Sequence, residues 1–149
     1  MQTVKILNLT KSFGKIRAVD SLSLDIEKGK ITGLIGADGS GKTTLIRLIT
    51  GLLIPDSGEI TVLGLNPAAQ KEELSTKIGY MPQKFGLYED LSIEENLQLY
   101  ADLKKLPYEF DELLEFTKLM PFKTRLAGAL SGGMKQKLGL ACALMGSPD

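Results

Sequence analysis

Histidine is absent from these 149 residues, and cysteine occurs once. The first absence excludes histidine-ligated zinc and any histidine-based catalytic triad within this chain. The second excludes an internal disulfide. Cys142 lies in a helical pattern among apolar neighbours, which reads as a small buried hydrophobe and not as a nucleophile. Net charge is lacking too. Eighteen basic side chains balance eighteen acidic ones, so no basic field draws nucleic acid or an anionic membrane surface. No apolar run approaches the roughly 18–20 residues that span a bilayer. The opening stretch carries Gln2, Lys5 and Asn8, and so lacks the apolar centre of a secretion signal. A cytoplasmic location is the expectation.

What is present is ordinary globular composition, 43% hydrophobic and 24% charged, in a length that suits one domain. Residues 3–9 and 21–27 read as strands, with Leu22, Leu24 and Ile26 alternating against Ser23 and Asp25. The run 31–35 reads as a strand covered on both faces. A glycine-rich loop follows. A helix is expected from about Lys42, with Leu45, Leu48 and Ile49 on one side and Gly51 as its stop. Residues 55–58 have turn chemistry, Ile60 and Val62 mark another strand, and 78–81 a further one. Beyond residue 84 the pattern turns helical. Ser92 and Glu95 form a capping box ahead of Ile93, Leu97, Tyr100 and Leu103. Phe110, Leu113, Leu114 and Thr117 suggest a second helix. Met134, Leu138, Ala141, Cys142 and Met145 suggest a last one, starting near Gly133.

Residues 36–43 read Gly-Ala-Asp-Gly-Ser-Gly-Lys-Thr and match G-x-x-x-x-G-K-[ST]. Glycines let the backbone curl until successive N–H groups point at one anion, and the helix dipole behind the loop adds to the attraction. Gly36, Asp38, Gly39, Ser40 and Gly41 are therefore expected to line a phosphate. Lys42 would reach the β- and γ-phosphates, the Thr43 hydroxyl would ligate Mg²⁺, and Thr44 could bond a neighbouring oxygen. The motif alone defines a nucleoside triphosphate site. It does not choose among kinases, GTPases and motors. Read as a mere glycine turn, it would not need its place between an apolar strand and a helix.

A second motif, Leu130-Ser131-Gly132-Gly133-Met134, places a good N-cap and two glycines at a helix start, which makes another anion-binding cap. With the first motif, it resembles the signature sequence of ABC ATPases. Gln83 resembles the family's Q-loop glutamine, and Phe13 stands where the family places an aromatic ring stacked on adenine. The runs 80–91 and 125–142 look especially like ATP-binding subunits of multidrug exporters.

That resemblance implies an α/β P-loop NTPase core with an N-terminal antiparallel β-subdomain and a helical subdomain. The expected division is 1–83 for core and β-subdomain, 84–130 for the helical subdomain, and 131–149 for the signature helix. It implies ATP and Mg²⁺ as cofactors, with Lys42 and Gln83 in catalytic roles and Thr43 and Gln83 at the metal. It implies that Ser131, Gly132 and Gly133 meet the γ-phosphate held by a second nucleotide-binding domain. The other implied partner is a transmembrane permease, with no nucleic acid, and the location is peripheral on the inner membrane face. Three positions depart from the family pattern. Met134 replaces a glutamine, Asp38 replaces the more usual asparagine, and Ala37 replaces a common proline.

In the family, the chain continues into an apolar strand ending in Asp-Glu and later a histidine. The expectation for these 149 residues is thus an N-terminal piece, truncated before the Walker B strand. It should bind nucleotide, lack the general base and be marginal in stability by itself. Two other functions compete with the transporter subunit. One is an ABC protein acting on DNA or ribosomes. The interval between Gln83 and Ser131 leaves no room for the long coiled coil of DNA-repair members, and neutral charge argues against a ribosome binder. The other is a nucleotide-binding module without motor function.

Overall fold

A computed structural model describes residues 2–83 and 86–149, the Gln2 side chain excepted. The chain divides into two compact units, Met1–Ser75 and Thr76–Asp149.

The first unit is built on β1 (Gln2–Phe13), β2 (Ile16–Glu27) and β3 (Ser57–Val62), in the antiparallel order β2-β1-β3. Phe13 pairs with Ile16 across the tight turn at Gly14, whose φ is +59°. The spacing of core residues in β1 breaks the period of two, because Ile6 and Leu9 are both buried. A bulge between them resolves this. There Asn8 takes φ +49° and its N–H donates to Ser23 Oγ at 2.8 Å. Gly58, at φ +88°, crosses so close to the Asn8 carbonyl that no side chain would fit. Val4, Val19, Ile60 and Val62 complete the buried sheet face.

Helix α1 (Lys42–Ile49) packs on β2 and β3 through Leu45 and Leu48. It stops where the sequence suggests. Gly51 takes φ +70° and its N–H donates to Leu48 O at 3.2 Å. Asp56, in the turn before β3, accepts from Ser12 N at 2.6 Å and Lys11 Nζ at 2.8 Å. The Lys11 ammonium and the Ser12 amide hold its carboxyl below the ordinary value of 3.8.

Three readings of the sequence need correction, and one element was missed. Residues 31–35 form no strand, and Ile31 and Ile35 are fully exposed. Residues 78–81 form none either. A parallel-sheet strand is defined by its neighbours, and no described strand lies beside either segment. Helix α2 (Lys71–Lys77) was not legible, because Leu74 is its only buried residue and leaves no apolar period to read. Leu103 is exposed at 72%, and Ala101 takes the buried place on that helix instead.

The second unit assembles α3 (Ile93–Lys104), α4 (Asp111–Phe116) and α5 (Gly132–Leu144), joined through short 3₁₀ turns. Ile93, Leu97, Phe110, Leu114, Leu138 and Ala141 are among the residues of its core. The capping box at Ser92 and Glu95 is present in full. The fully buried Asn96 uses both ends of its amide. It accepts from Tyr88 N at 2.9 Å and donates to the carbonyls of Tyr88, Leu91 and Ser92. One side chain thus fixes the loop that leads into α3.

Candidate functional site

Residues 36–40 are exposed and run directly into α1. Gly39 at φ +78° and Gly41 at φ +88° provide the left-handed turns that curl the loop. Gly41 is also the N-cap of α1, with no side chain to cap the helix. The first N–H groups of any helix lack intrahelical partners, so Lys42, Thr43 and Thr44 open α1 with donors available to an anion.

The Lys42 ammonium curls back over the loop. It donates to Gly36 O and Ala37 O, both at 2.7 Å, and lies 3.5 Å from Ser40 Oγ. Ser40 N closes the loop onto Ala37 O at 3.2 Å. A Cβ on Gly36 would sit 2.6 Å from Ser40 Oγ. The cation is thus held at the mouth of an uncapped helix by neutral carbonyls. A phosphate would bring a full opposite charge to the same ammonium, so Coulomb attraction favours it over those neutral carbonyls for Lys42. This donor set fits a phosphate chain.

Gly36, Asp38, Gly39, Ser40, Gly41, Lys42, Thr43 and Thr44 are therefore brought together in one loop and one helical turn. Phe13 stands half exposed at the end of β1, with Lys11 Nζ 5.7 Å from its ring centre. Gln83 is exposed at a bend in the second unit. Among the described residues, no cluster of three or more acidic, cysteine or histidine side chains could hold a metal alone.

Ser131 caps α5 as its residue type suggests, accepting from Met134 N at 3.3 Å. Ser131, Gly132 and Gly133 are all exposed. A Cβ on either glycine would meet nothing within 4 Å, and neither glycine has positive φ. Met134, at the departure from the family pattern, packs against the core of the second unit. Cys142 is buried, and burial pushes its thiol up to about 12, so it is inert at neutral pH.

Sequence reasoning missed three residues that shape these sites. Ala18, on β2, backs Gly41 so closely that only glycine fits there. Glu89 and Lys135 form an ion pair at 2.6 Å beside the Ser131 motif. Only the acidic residue in a loop and the basic residue one turn into a helix were visible, and nothing in their spacing paired them.

An uncapped, glycine-turned loop with a lysine over its mouth has the form of the loop that defines P-loop proteins. The comparisons narrow that class. The sequence profile of the ABC transporter family matches residues 19–149. A probable multidrug ABC transporter ATP-binding protein, YbhF of Escherichia coli, is 59% identical over 136 residues, covering 88% of this chain and 24% of YbhF. The bacitracin transport ATP-binding protein BcrA of Bacillus licheniformis is 38% identical, covering 98% of this chain and 48% of BcrA. The solved structure of an ATP-binding subunit of an ABC transporter superposes with a TM-score of 0.85 at 28% identity. It covers 98% of this chain and 63% of that one. This chain belongs to the ABC transporter family and carries its ATP-binding domain. It spans a quarter to a half of the length of these curated relatives. No described helix is long and apolar enough to cross a membrane.

Proposed function

We propose that this chain is the nucleotide-gripping part of an ATP-binding subunit that drives export through a partner permease. The Lys42 ammonium poised over the mouth of α1 is the observation that carries this reading. Lys42 would leave its carbonyls for the β- and γ-phosphates, which would rest on the opening N–H groups of α1. Thr43 would hold Mg²⁺ together with phosphate oxygens, and Gln83 would serve as the family's Q-loop glutamine. Phe13 would stack on the adenine. ATP supplies a phosphoanhydride bond, and Mg²⁺ neutralises charge on its oxygens.

Ser131, Gly132 and Gly133 would cover the γ-phosphate bound by a second nucleotide-binding domain, so that ATP joins two subunits. The bare surface at Gly132 and Gly133 supports this. A glycine in a helix costs about 1 kcal/mol relative to alanine, and here the chain's own packing does not need the missing Cβ. Close approach by an outside group explains both glycines.

Transport is supported by the multidrug transporter name of the 59% identical relative; the Nod factor export protein matched at 36% favours export, and a sulfate/thiosulfate import protein matched at 37% is the competing direction. The test is affinity purification of the full-length protein from membranes solubilised in mild detergent. A membrane-spanning subunit should co-purify in stoichiometric amount. Recovery with ribosomes or DNA and without such a subunit would overturn the transport reading.

A further inference from the structure

We propose that Glu89 is a positioning residue that holds the Ser131 cap in register from both sides. The inference rests on the reading that Ser131, Gly132 and Gly133 complete a nucleotide site on a second subunit. Upstream of that motif, the Glu89 carbonyl accepts from Gly128 N at 2.9 Å. Gly128 lies against it, and an added Cβ there would sit 3.1 Å from Glu89 O. Downstream, the Glu89 carboxylate takes Lys135 Nζ at 2.6 Å. Lys135 is the residue whose own N–H bonds Ser131 O at 2.9 Å, closing the first turn of α5. Residue 89 therefore grips the chain three positions before Ser131 and four positions after it.

The grip has a fixed anchor. Asn96 ties Tyr88 and Leu91 to α3 on either side of Glu89, and Ala127 N donates to Leu91 O at 2.8 Å. Residues 88–92 thus form a strap between the first turn of α3 and the start of α5. Lys135 is the more enclosed partner, its side chain 27% exposed against 67% for Glu89. The ammonium beside Glu89 holds its carboxyl below the usual glutamate range, which favours the carboxylate that accepts from Lys135. Ser131 and the two glycines are too exposed to be fixed by their own packing. The strap fixes them from outside the motif.

An exposed ion pair contributes only modestly. Two copies act in a symmetric dimer, so each substitution counts twice. Glu89→Gln or Lys135→Met in the full-length protein should raise the concentration of a non-hydrolysable ATP analogue with Mg²⁺ that half-dimerises it, by about threefold to tenfold. Light scattering on a sizing column reads this. Thermal midpoint and the monomer's affinity for the analogue serve as controls for folding and for the Lys42 site. The exchange Glu89→Lys with Lys135→Glu should return the midpoint to within about twofold of wild type. Wild-type dimerisation with single variants inside twofold, or an exchange no better than the singles, overturns the inference alone. A wild type that stays monomeric, or dimerises equally well as Ser131→Arg, overturns the underlying reading and the inference with it.

Discussion

The carbonyl oxygen of Ala18, on β2, occupies the space where any side chain on Gly41 would have to go. The hairpin strand and the phosphate loop are thereby fitted closely to each other at this backbone contact. Gly41 also sits at φ +88°, where a side chain is strained even in open space.

Gly41→Ala should therefore fail twice. It is expected to lower stability by about 2 kcal/mol or more and to displace the opening turn of α1. Urea unfolding reads the first effect and nucleotide titration the second. Gly39→Ala is the control. It shares the positive φ, yet its Cβ would meet nothing within 4 Å, so it should cost about half as much.

Asn96→Leu should be among the most damaging single changes in the second unit. It keeps the volume but leaves the buried Tyr88 amide without its acceptor and takes one donor each from the carbonyls of Tyr88, Leu91 and Ser92, which keep only their backbone partners. The expected loss is about 3 kcal/mol, read as a shift in the urea midpoint. A loss under about 0.5 kcal/mol would mean that the loop 88–92 does not depend on this side chain.

Asp56 supplies a pH dependence of known sign. Its carboxyl in the folded chain lies below the ordinary 3.8, held there by Lys11 and the Ser12 amide. Its contribution is full above 3.8 and disappears as pH falls through the folded value. Asp56→Asn should be less stable than wild type at pH 7, and the gap should close below pH 3.8. A gap that stays constant from pH 7 to pH 2 would contradict the assignment.

Ser131→Ala removes the acceptor for Met134 N. Loss of such a cap costs about 1 kcal/mol. The effect should be local, seen as faster amide exchange at residues 132–135 with little change at α3. Uniform acceleration across the second unit would instead place Ser131 in its global stability.

How much of this was legible follows from what each feature depends on. The phosphate loop, the α1 stop at Gly51 and the box at Ser92 and Glu95 are written in consecutive residues, and residue type alone predicts them. The core faces of α3, α4 and α5 followed from period, with Leu103 the exception, because an apolar residue near a helix end need not be covered. Leu22, Leu24 and Ile26 alternate as expected. The bulge at Asn8 did not show, since Ile6 and Leu9 break the period without saying why. Residues 31–35 carry a strand's composition, but hydrogen bonding needs a neighbour that composition cannot supply. Asn96, Ala18 and the Glu89–Lys135 pair act across gaps in the sequence, so only three-dimensional proximity reveals them.

The central claim is that residues 36–44 grip a nucleoside triphosphate through Lys42. Calorimetric titration of the chain with Mg·ATP tests it most directly, comparing wild type with Lys42→Ala. Saturable binding that weakens at least about tenfold in Lys42→Ala, with the thermal midpoint unchanged, is the expected result. Equal affinity in the two proteins would contradict the account.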